Sequence, residues 1–355
     1  MKKYVFKRIL ALVLVVATLF SFSACKPKHK NAITPKVILF IGDGMGPNHV
    51  YNAELYYGEE MYFSSFPYQT TVDTNSLSGL TDSAAAATAM ATGVRVENDS
   101  IAVDSSTGKD LTSITELAKA QKYGIGVVTS DLITGATPAG FSAHCTSRDN
   151  ETGILISQKD ANLDLLLGAG EYKKYEYLFD EEGWTWIDSF DELKLKNRRY
   201  VSNFSSVVPE NPTQEEPTLT QLACFAVEYM EKNYPTGYFL MIEGAKIDKA
   251  SHSNDINTML KNMMDFSNAI KAVEEMLPKT VGYTILVTAD HETGGLKKAE
   301  SIDKLTNGLY TTAKHTATPV GLYYKSTQSG VPEIISESMI LNTDIFLLCK
   351  YLLAL

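Results

Sequence analysis

Residues 36–46 read KVILFIGDGMG, and this stretch decides the fold class. Five consecutive apolar residues, 37–41, are followed directly by Gly42, Asp43 and Gly44. A short apolar run of this kind is typical of a strand buried on both faces, and the glycines indicate that it ends in a loop. The stretch therefore predicts a buried strand of a parallel sheet with Asp43 at its carboxyl end.

Apolar runs of the same form recur along the chain, and patterns typical of helices separate them. Strands are predicted at residues 125–129, 238–242, 284–288 and 319–324. Helices are predicted at residues 83–92, 113–121, 219–232 and 254–277. Strands that alternate with helices favour a mainly parallel sheet covered by helices on both faces, which is an α/β fold.

Residues 171–218 are richer in charged and aromatic side chains and show a weaker pattern. We interpret this segment as an insertion at the edge of the sheet and not as a second domain. The chain from residue 35 to residue 355 is therefore predicted to form a single domain.

The start of the chain differs in character from the rest. A basic beginning leads into an uncharged stretch of fourteen residues, Ile9–Phe22. This stretch is too short to span a bilayer comfortably and is typical of a signal peptide, which we place at residues 1–24. Small residues before Cys25 resemble a bacterial lipobox. We expect a lipid on Cys25 and a polar tether over residues 25–34, which would anchor the protein to a membrane in an extracytoplasmic space. An ordinary cleaved signal peptide is the alternative.

Charge and cysteine content exclude several classes of protein. The 355 residues carry 32 basic and 42 acidic side chains, a formal net charge of −10. We expect no nucleic-acid partner, because such binding needs basic surface against phosphate backbones. Cys145, Cys224 and Cys349 remain beyond Cys25, so at most one internal disulfide can form, and the spacing does not choose the pair.

Polar residues cluster where the predicted strands end, which is where open α/β sheets build their sites. Asp43 follows the first strand, where a simple Asp-Gly turn is the alternative interpretation. Ser83 follows Asp82 at the start of an alanine-rich helix. A helix cap explains both residues, but a helix N-terminus also suits an anionic phosphate.

Later strand ends add residues that are typical of metal ligands. Glu243 ends one strand, and Asp248 and His252 lie four residues apart, which places both on one face of a helix. A solvated Asp–His pair is the alternative. Asp290 and His291 follow a later strand and offer an oxygen and a nitrogen donor. Three further candidates stand alone in the sequence: Thr137, Arg148 and His315.

Together these segments resemble the alkaline phosphatase family. The matching text is VILFIGDGMG, TDSAAAATAMATG, TGATPAGFSAH, MIEGAKIDKASH, VTADHETGG and KHT, in the family's order across residues 36–325. The resemblance implies a three-layer α/β/α sandwich with a mainly parallel central sheet. It also implies metal-dependent hydrolysis of small phosphate monoesters to an alcohol and inorganic phosphate through a phosphoserine intermediate. Two Zn²⁺ and one Mg²⁺ per chain are implied as cofactors, and a homodimer is expected because relatives are often dimers.

The resemblance assigns a role to each matching residue. Ser83 is the nucleophile, and Arg148, oriented by Asp82, clamps the phosphate. Lys249 matches a lysine of some bacterial members and is assigned to substrate binding. The implied ligands are Asp248, His252 and His315 for one zinc, Asp290 and His291 with Asp43 for the second, and Asp43, Thr137 and Glu243 for magnesium. The third set offers only oxygen, which magnesium prefers.

One departure and several alternatives accompany the resemblance. Gly135 stands where many relatives carry Asp or His near the magnesium site. A sulfate ester or phosphodiester hydrolase of the same superfamily is an alternative. Sulfatases have Pro and Arg two and four residues after the nucleophile, whereas alanines follow Ser83. Such diesterases usually lack the third metal site, which Thr137 and Glu243 would supply. A non-catalytic phosphate-binding lipoprotein is a further alternative.

The interpretation of Cys25 can be tested in the native host. We expect Cys25→Ser to release the protein from membranes or leave it unprocessed, because the lipid attachment atom is removed. Fractionation measures the distribution, and specific activity after purification should equal that of the wild type. A variant that stays with the membranes as well as the wild type does would contradict the lipobox.

Overall fold

A ten-stranded sheet forms the centre of the residues that this computed structural model describes, 35–277, 282–328 and 331–355. In chain order the strands are β1 (Lys36–Gly42), β2 (Tyr68–Asp73), β3 (Gly124–Leu132), β4 (Leu165–Ala169), β5 (Trp184–Ile187), β6 (Arg199–Ser202), β7 (Tyr238–Gly244), β8 (Thr284–Thr288), β9 (Glu292–Thr293), β10 (His315–Thr316), β11 (Val320–Ser326) and β12 (Met339–Leu341). The order across the sheet is β12-β2-β11-β8-β1-β7-β3-β4-β6-β5, and β9 pairs with β10 separately. The predicted signal peptide, and Cys25 with its tether, lie outside the described residues.

Strand β1 lies in the interior of the sheet and pairs in parallel with β7 and β8. Phe40 is in register with Ile242 on one side and Val287 on the other. All seven residues of β1 are buried, as expected for a strand covered on both faces. Only β11 runs antiparallel to its neighbours in this sheet, β2 and β8, within the described residues.

Two groups of helices pack against the sheet. The helices are α1 (Pro47–Tyr57), α2 (Ser83–Thr92), α3 (Ile114–Ala120), α4 (Ala136–Gly140), α5 (Glu151–Asp160), α6 (Glu176–Glu181), α7 (Leu219–Asn233), α8 (Lys246–His252), α9 (Ile256–Met276) and α10 (Asn342–Leu352). Helix α9 contacts α1, α7 and α8, whereas α2 contacts α3, α4 and α10. The predicted three-layer α/β/α sandwich with a mainly parallel sheet is confirmed.

Helix α2 is alanine-rich because it is buried on every side. All ten of its residues are buried. A Cβ atom added to Gly140 of α4 would lie 2.7 Å from the Cβ atom of Ala87, so the two helices meet too closely for larger side chains. Asp82 caps the helix by accepting a hydrogen bond from the Ala85 N–H at 2.9 Å. This cap fixes where Ser83 enters the helix.

The segment at residues 171–218 contributes β5 and β6, which lie at one end of the sheet order. Its classification as an insertion stays a prediction. Cys145, Cys224 and Cys349 are free thiols. Among the described helices, none is both long and apolar enough to cross a bilayer.

An ion pair is buried at the first residue of β1. Lys36 is only 2% exposed, and its Nζ lies 2.7 and 2.6 Å from the two carboxylate oxygens of Glu231 on α7. The Tyr238 hydroxyl donates to the same carboxylate at 2.8 Å. A buried ammonium group needs this partner, because an uncompensated buried charge is costly.

We expect Glu231→Ala to lower the free energy of unfolding by about 3 kcal/mol, because it leaves the buried Lys36 ammonium group without an ion-pair partner. Urea denaturation of the metal-free protein measures the change. Glu210→Ala is the matched control, since Glu210 pairs with Lys261 on the surface at 2.5 Å and should contribute less than about 1 kcal/mol. Equal losses in the two variants would contradict the role of burial.

Candidate active site

Three neighbouring parallel strands bring their carboxyl ends together. Asp43 follows β1, Glu243 is near the end of β7, and Asp290 lies just after β8. Because β1 pairs with both β7 and β8, these carboxylates meet at one edge of the sheet. Glu243 stands directly opposite Ile41 in the β1–β7 register. The polar positions that end the three apolar runs therefore form one site.

The first donor group comprises Asp43, Asp290 and His291. The His291 Nε2 atom lies 3.5 Å from Asp43 Oδ1 and 3.2 Å from Asp290 Oδ2. One ligand atom from each residue fits within 4.8 Å of the others, and all three residues are buried. The Gly44 N–H and the His291 N–H both donate to Asp290 Oδ1, which leaves Oδ2 facing the other donors.

The second donor group comprises Asp248, His252 and His315. Asp248 and His252 lie on α8, and His315 lies on β10. Their ligand atoms also fit within 4.8 Å of one another. The two histidine Nε2 atoms are 3.1 Å apart, and His252 Nε2 is 3.3 Å from Asp248 Oδ2. The sequence interval of four residues thus places both donor side chains on one helical face.

Backbone carbonyls fix the tautomers of these two histidines. His252 Nδ1 lies 2.7 Å from the Ala313 carbonyl oxygen, and His315 Nδ1 lies 3.0 Å from that of Thr81. A carbonyl oxygen only accepts, so each Nδ1 must carry the proton. The two Nε2 atoms, which face each other, are therefore the ring atoms available to a cation between them.

Unpartnered buried atoms mark the same place. Five buried side-chain polar atoms lack a hydrogen-bond partner among the described residues, and three of them are Asp43 Oδ1, Asp290 Oδ2 and Thr137 Oγ1. Such atoms are rare in folded proteins and call for an ion or water. The two mixed His and Asp groups fit zinc chemistry, and the oxygen donors of Asp43, Thr137 and Glu243 fit magnesium.

Burial shapes the electrostatics of the site. Burial, reinforced by the charges of Asp290 and Asp248, raises the pKa of Asp43 well above its usual range. Burial also raises the pKa of Asp290, and it raises that of Glu243 to about 8. Burial and the neighbouring His315 lower the pKa of His291 well below its usual range. These shifts indicate that ionised carboxylates are unfavourable in this site unless a positive charge lies beside them. The site is therefore suited to bound cations.

Ser83 lies beside the first donor group. It is the first residue of α2, and its Oγ is 3.1 Å from His291 Nε2. The serine hydroxyl is thus held at the positive end of a helix dipole and next to the residues that could bind metal. The position suits both a nucleophile and the binding of an anion.

Arg148 is held over the same helix start by Asp82. Its Nη1 lies 3.1 Å from Asp82 Oδ2. The same carboxylate oxygen accepts the Asp99 N–H at 3.1 Å, and the other oxygen caps α2. One aspartate therefore sets the relative position of Ser83 and the guanidinium group, the role that the resemblance implied for it.

Lys249 pairs with Asp131 at the end of β3. Lys249 directly follows Asp248, a candidate metal ligand on α8. The Lys249 side chain is half-exposed. Its assignment to substrate binding stays a prediction.

Several residues that support the site were missed from the sequence. The Thr129 hydroxyl donates to Glu243, and the Thr293 hydroxyl donates to Asp248 at 2.5 Å. Glu292 accepts from the Leu296 N–H at 3.0 Å and from the Thr316 hydroxyl, and so ties the loop after His291 to the strand that carries His315. Threonines at strand ends are common, so the only available signal was their place beside ligand candidates.

Comparison with known proteins identifies the family. The alkaline phosphatase family profile matches residues 34–175 and 200–341. Alkaline phosphatase 3 of Bacillus subtilis is 34% identical over 284 residues, covering 73% of this chain and 61% of that protein. Alkaline phosphatase 4 of the same organism is 33% identical over 302 residues, covering 77% of this chain and 64% of that protein. The chain thus spans about three fifths of the length of these relatives.

A solved structure gives the same result. A mutant of the alkaline phosphatase of the Antarctic bacterium TAB5, with Mg bound in its M3 site, aligns with a TM-score of 0.75 at 25% identity, covering 90% of this chain and 98% of that chain. The family match over most of the described residues is decisive. This chain belongs to the alkaline phosphatase family.

The geometry around Arg148 predicts its contribution to anion binding. We expect Arg148→Lys to weaken the binding of inorganic phosphate about tenfold, because lysine keeps the charge but cannot form the bidentate hydrogen bonds of a guanidinium group. Calorimetric titration of the metal-loaded protein measures the change. Arg95→Lys is the matched control, since Arg95 pairs with Asp73 at 3.2 Å outside the donor groups. Unchanged phosphate affinity in Arg148→Lys would remove this residue from the site.

Proposed function

We propose that the protein hydrolyses small phosphate monoesters to an alcohol and inorganic phosphate through a phosphoserine at Ser83. The observation that carries this proposal is the distance of 3.1 Å between Ser83 Oγ and His291 Nε2 at the start of α2. A hydroxyl at a helix N-terminus, beside two groups of ligand atoms, suits attack on an anionic phosphorus centre.

Two Zn²⁺ and one Mg²⁺ are the proposed cofactors. Asp248, His252 and His315 would hold one zinc, and Asp290 and His291 with Asp43 the other. Asp43, Thr137 and Glu243 would hold magnesium through oxygen atoms. When bound, these ions supply the positive charge that activates the nucleophile and stabilises the attacking and leaving oxygens of an in-line displacement.

The proposed reaction has two steps, and both use the chain's own residues. Ser83 Oγ loses its proton and forms a bond to phosphorus, the ester P–O bond breaks, and the alcohol leaves with a proton. A water molecule then gives up one proton as its oxygen bonds to phosphorus, the bond from Ser83 Oγ to phosphorus breaks, Ser83 Oγ takes a proton back, and inorganic phosphate leaves. Arg148 would hold two non-bridging oxygens through both steps, and Asp82 keeps it in place.

We also propose that the mature protein is anchored by a lipid on Cys25 in an extracytoplasmic compartment, and that it forms a homodimer. The composition of residues 1–34 supports the first part. Acidic net charge supports small phosphate esters over nucleic acids as substrates.

The nucleophile can be tested directly. We expect Ser83→Ala to abolish trapping of labelled phosphate and to lower kcat by about a thousandfold or more, with metal content unchanged. Acid-quenched labelling and metal analysis measure the two effects. Ser142→Ala is the control, because Ser142 is also buried but its hydroxyl donates to the Pro138 carbonyl at 2.7 Å.

The substrate class is tested in the same assay. Wild-type protein should hydrolyse p-nitrophenyl phosphate faster than the corresponding phosphodiester or sulfate ester. Faster cleavage of the diester or sulfate would replace the proposal with one of those activities. Phosphate binding without turnover of any of the three would indicate a binding protein.

A further inference from the structure

Gly135 adds no side chain to the third set of ligands. Thr137 is only 1% exposed, and its Oγ1 has no hydrogen-bond partner among the described residues. Glu243 is also buried, and Gly135 at the start of α4 offers no side chain. A small cation that keeps several waters needs oxygen atoms to hold those waters.

The backbone explains why glycine occupies position 135. Its N–H donates to the Leu132 carbonyl at 2.8 Å. A Cβ atom at this position would lie 3.0 Å from the same oxygen, closer than ordinary contact allows. A side chain at this position would therefore crowd the Leu132 carbonyl, and a carboxylate near the third set of ligands has to be sought at another position.

Asp131, which lies four residues earlier on β3, is the candidate for this carboxylate. Its N–H donates to Thr129 Oγ1 at 3.1 Å, and that hydroxyl in turn donates to Glu243. The Thr129 hydroxyl thus connects the Asp131 backbone to Glu243, a candidate ligand of magnesium. Its carboxylate is also close enough to act electrostatically on Glu243.

Lys249 holds the Asp131 side chain. The ammonium group contacts Asp131 Oδ2, and the Asp131 side chain is 18% exposed. A carboxylate has two oxygens and about four acceptor positions, so pairing with one ammonium group leaves capacity for water. Lys249 also links β3 to α8, the helix that carries Asp248 and His252.

We propose that Asp131, held by Lys249, supplies the carboxylate that orders the water shell of the third metal ion, in place of a side chain at Gly135. Asp131 is therefore a positioning residue for magnesium and makes no contact with the reacting phosphate. This inference rests on the magnesium site of the proposed function, and it is tested by metal affinity so that turnover does not decide it.

The test is titration of the zinc-loaded, full-length protein with Mg²⁺ by calorimetry. We expect Asp131→Asn to weaken magnesium binding about tenfold, the usual scale for loss of an outer partner of a metal site. Zinc content should stay at the wild-type level. Glu243→Gln is the reference for loss of a direct ligand and should weaken binding further.

Asp160→Asn is the matched control, because Asp160 pairs with Lys159 at 2.5 Å on the surface. Its magnesium affinity should equal that of the wild type. A change of less than threefold in Asp131→Asn would overturn the inference, as would a wild-type protein that binds no magnesium. Asp131-dependent binding in a protein without monoesterase activity would refute the proposed function and support this inference.

Lys249→Met provides a second test, which decides the matter if Asp131→Asn does not fold. This variant keeps the Asp131 carboxylate but removes the ammonium group that pairs with it. Magnesium affinity should therefore fall about threefold, and zinc content should stay unchanged. Unchanged affinity in this folded variant would show that the Asp131–Lys249 pair only joins β3 to α8, and the proposal would fail.

Discussion

The structure depends on the burial of carboxylates and imidazoles at the ends of three adjacent parallel strands. Asp43, Glu243 and Asp290 would repel one another in a dry site, and burial raises the pKa of each. Bound cations reverse this cost, because opposite charge stabilises the ionised carboxylates. The apolar sheet therefore forms the core of the fold, and the burial that it imposes on these carboxylates makes their site suited to bound cations.

Hydrogen bonds from neighbouring residues fix the positions of the side chains in this site. The Ala313 and Thr81 carbonyls fix the tautomers of His252 and His315. Asp82 both caps α2 and pairs with Arg148, so a single carboxylate positions Ser83 and the guanidinium group relative to each other. Gly44, at a φ of 71°, turns the chain after β1 so that its N–H reaches Asp290. Each contact comes from a different element, which makes the site a product of the whole fold.

Much of the fold could be predicted because its central strands are continuous apolar runs. Strands β1, β3, β7 and β8 all contain such runs, and a polar side chain follows each run within two residues. Strands β2, β4, β5, β6 and β12 of the main sheet escaped prediction, as did the two-residue strands β9 and β10. Strands β2, β5 and β12 are short or partly exposed, whereas β4 is fully buried and was missed all the same. The helix predicted at residues 254–277 is observed as α9, from Ile256 to Met276.

The sequence by itself determined the alternation of strands and helices, the polar residues at the strand ends, and the family. These features follow from local composition and from the order of short segments. Only the tertiary structure decided that Thr293 supports Asp248, that Thr129 supports Glu243, and that Lys249 pairs with Asp131. Such contacts join residues far apart in the chain, and they depend on the crossover of parallel strands, whose geometry no local pattern encodes.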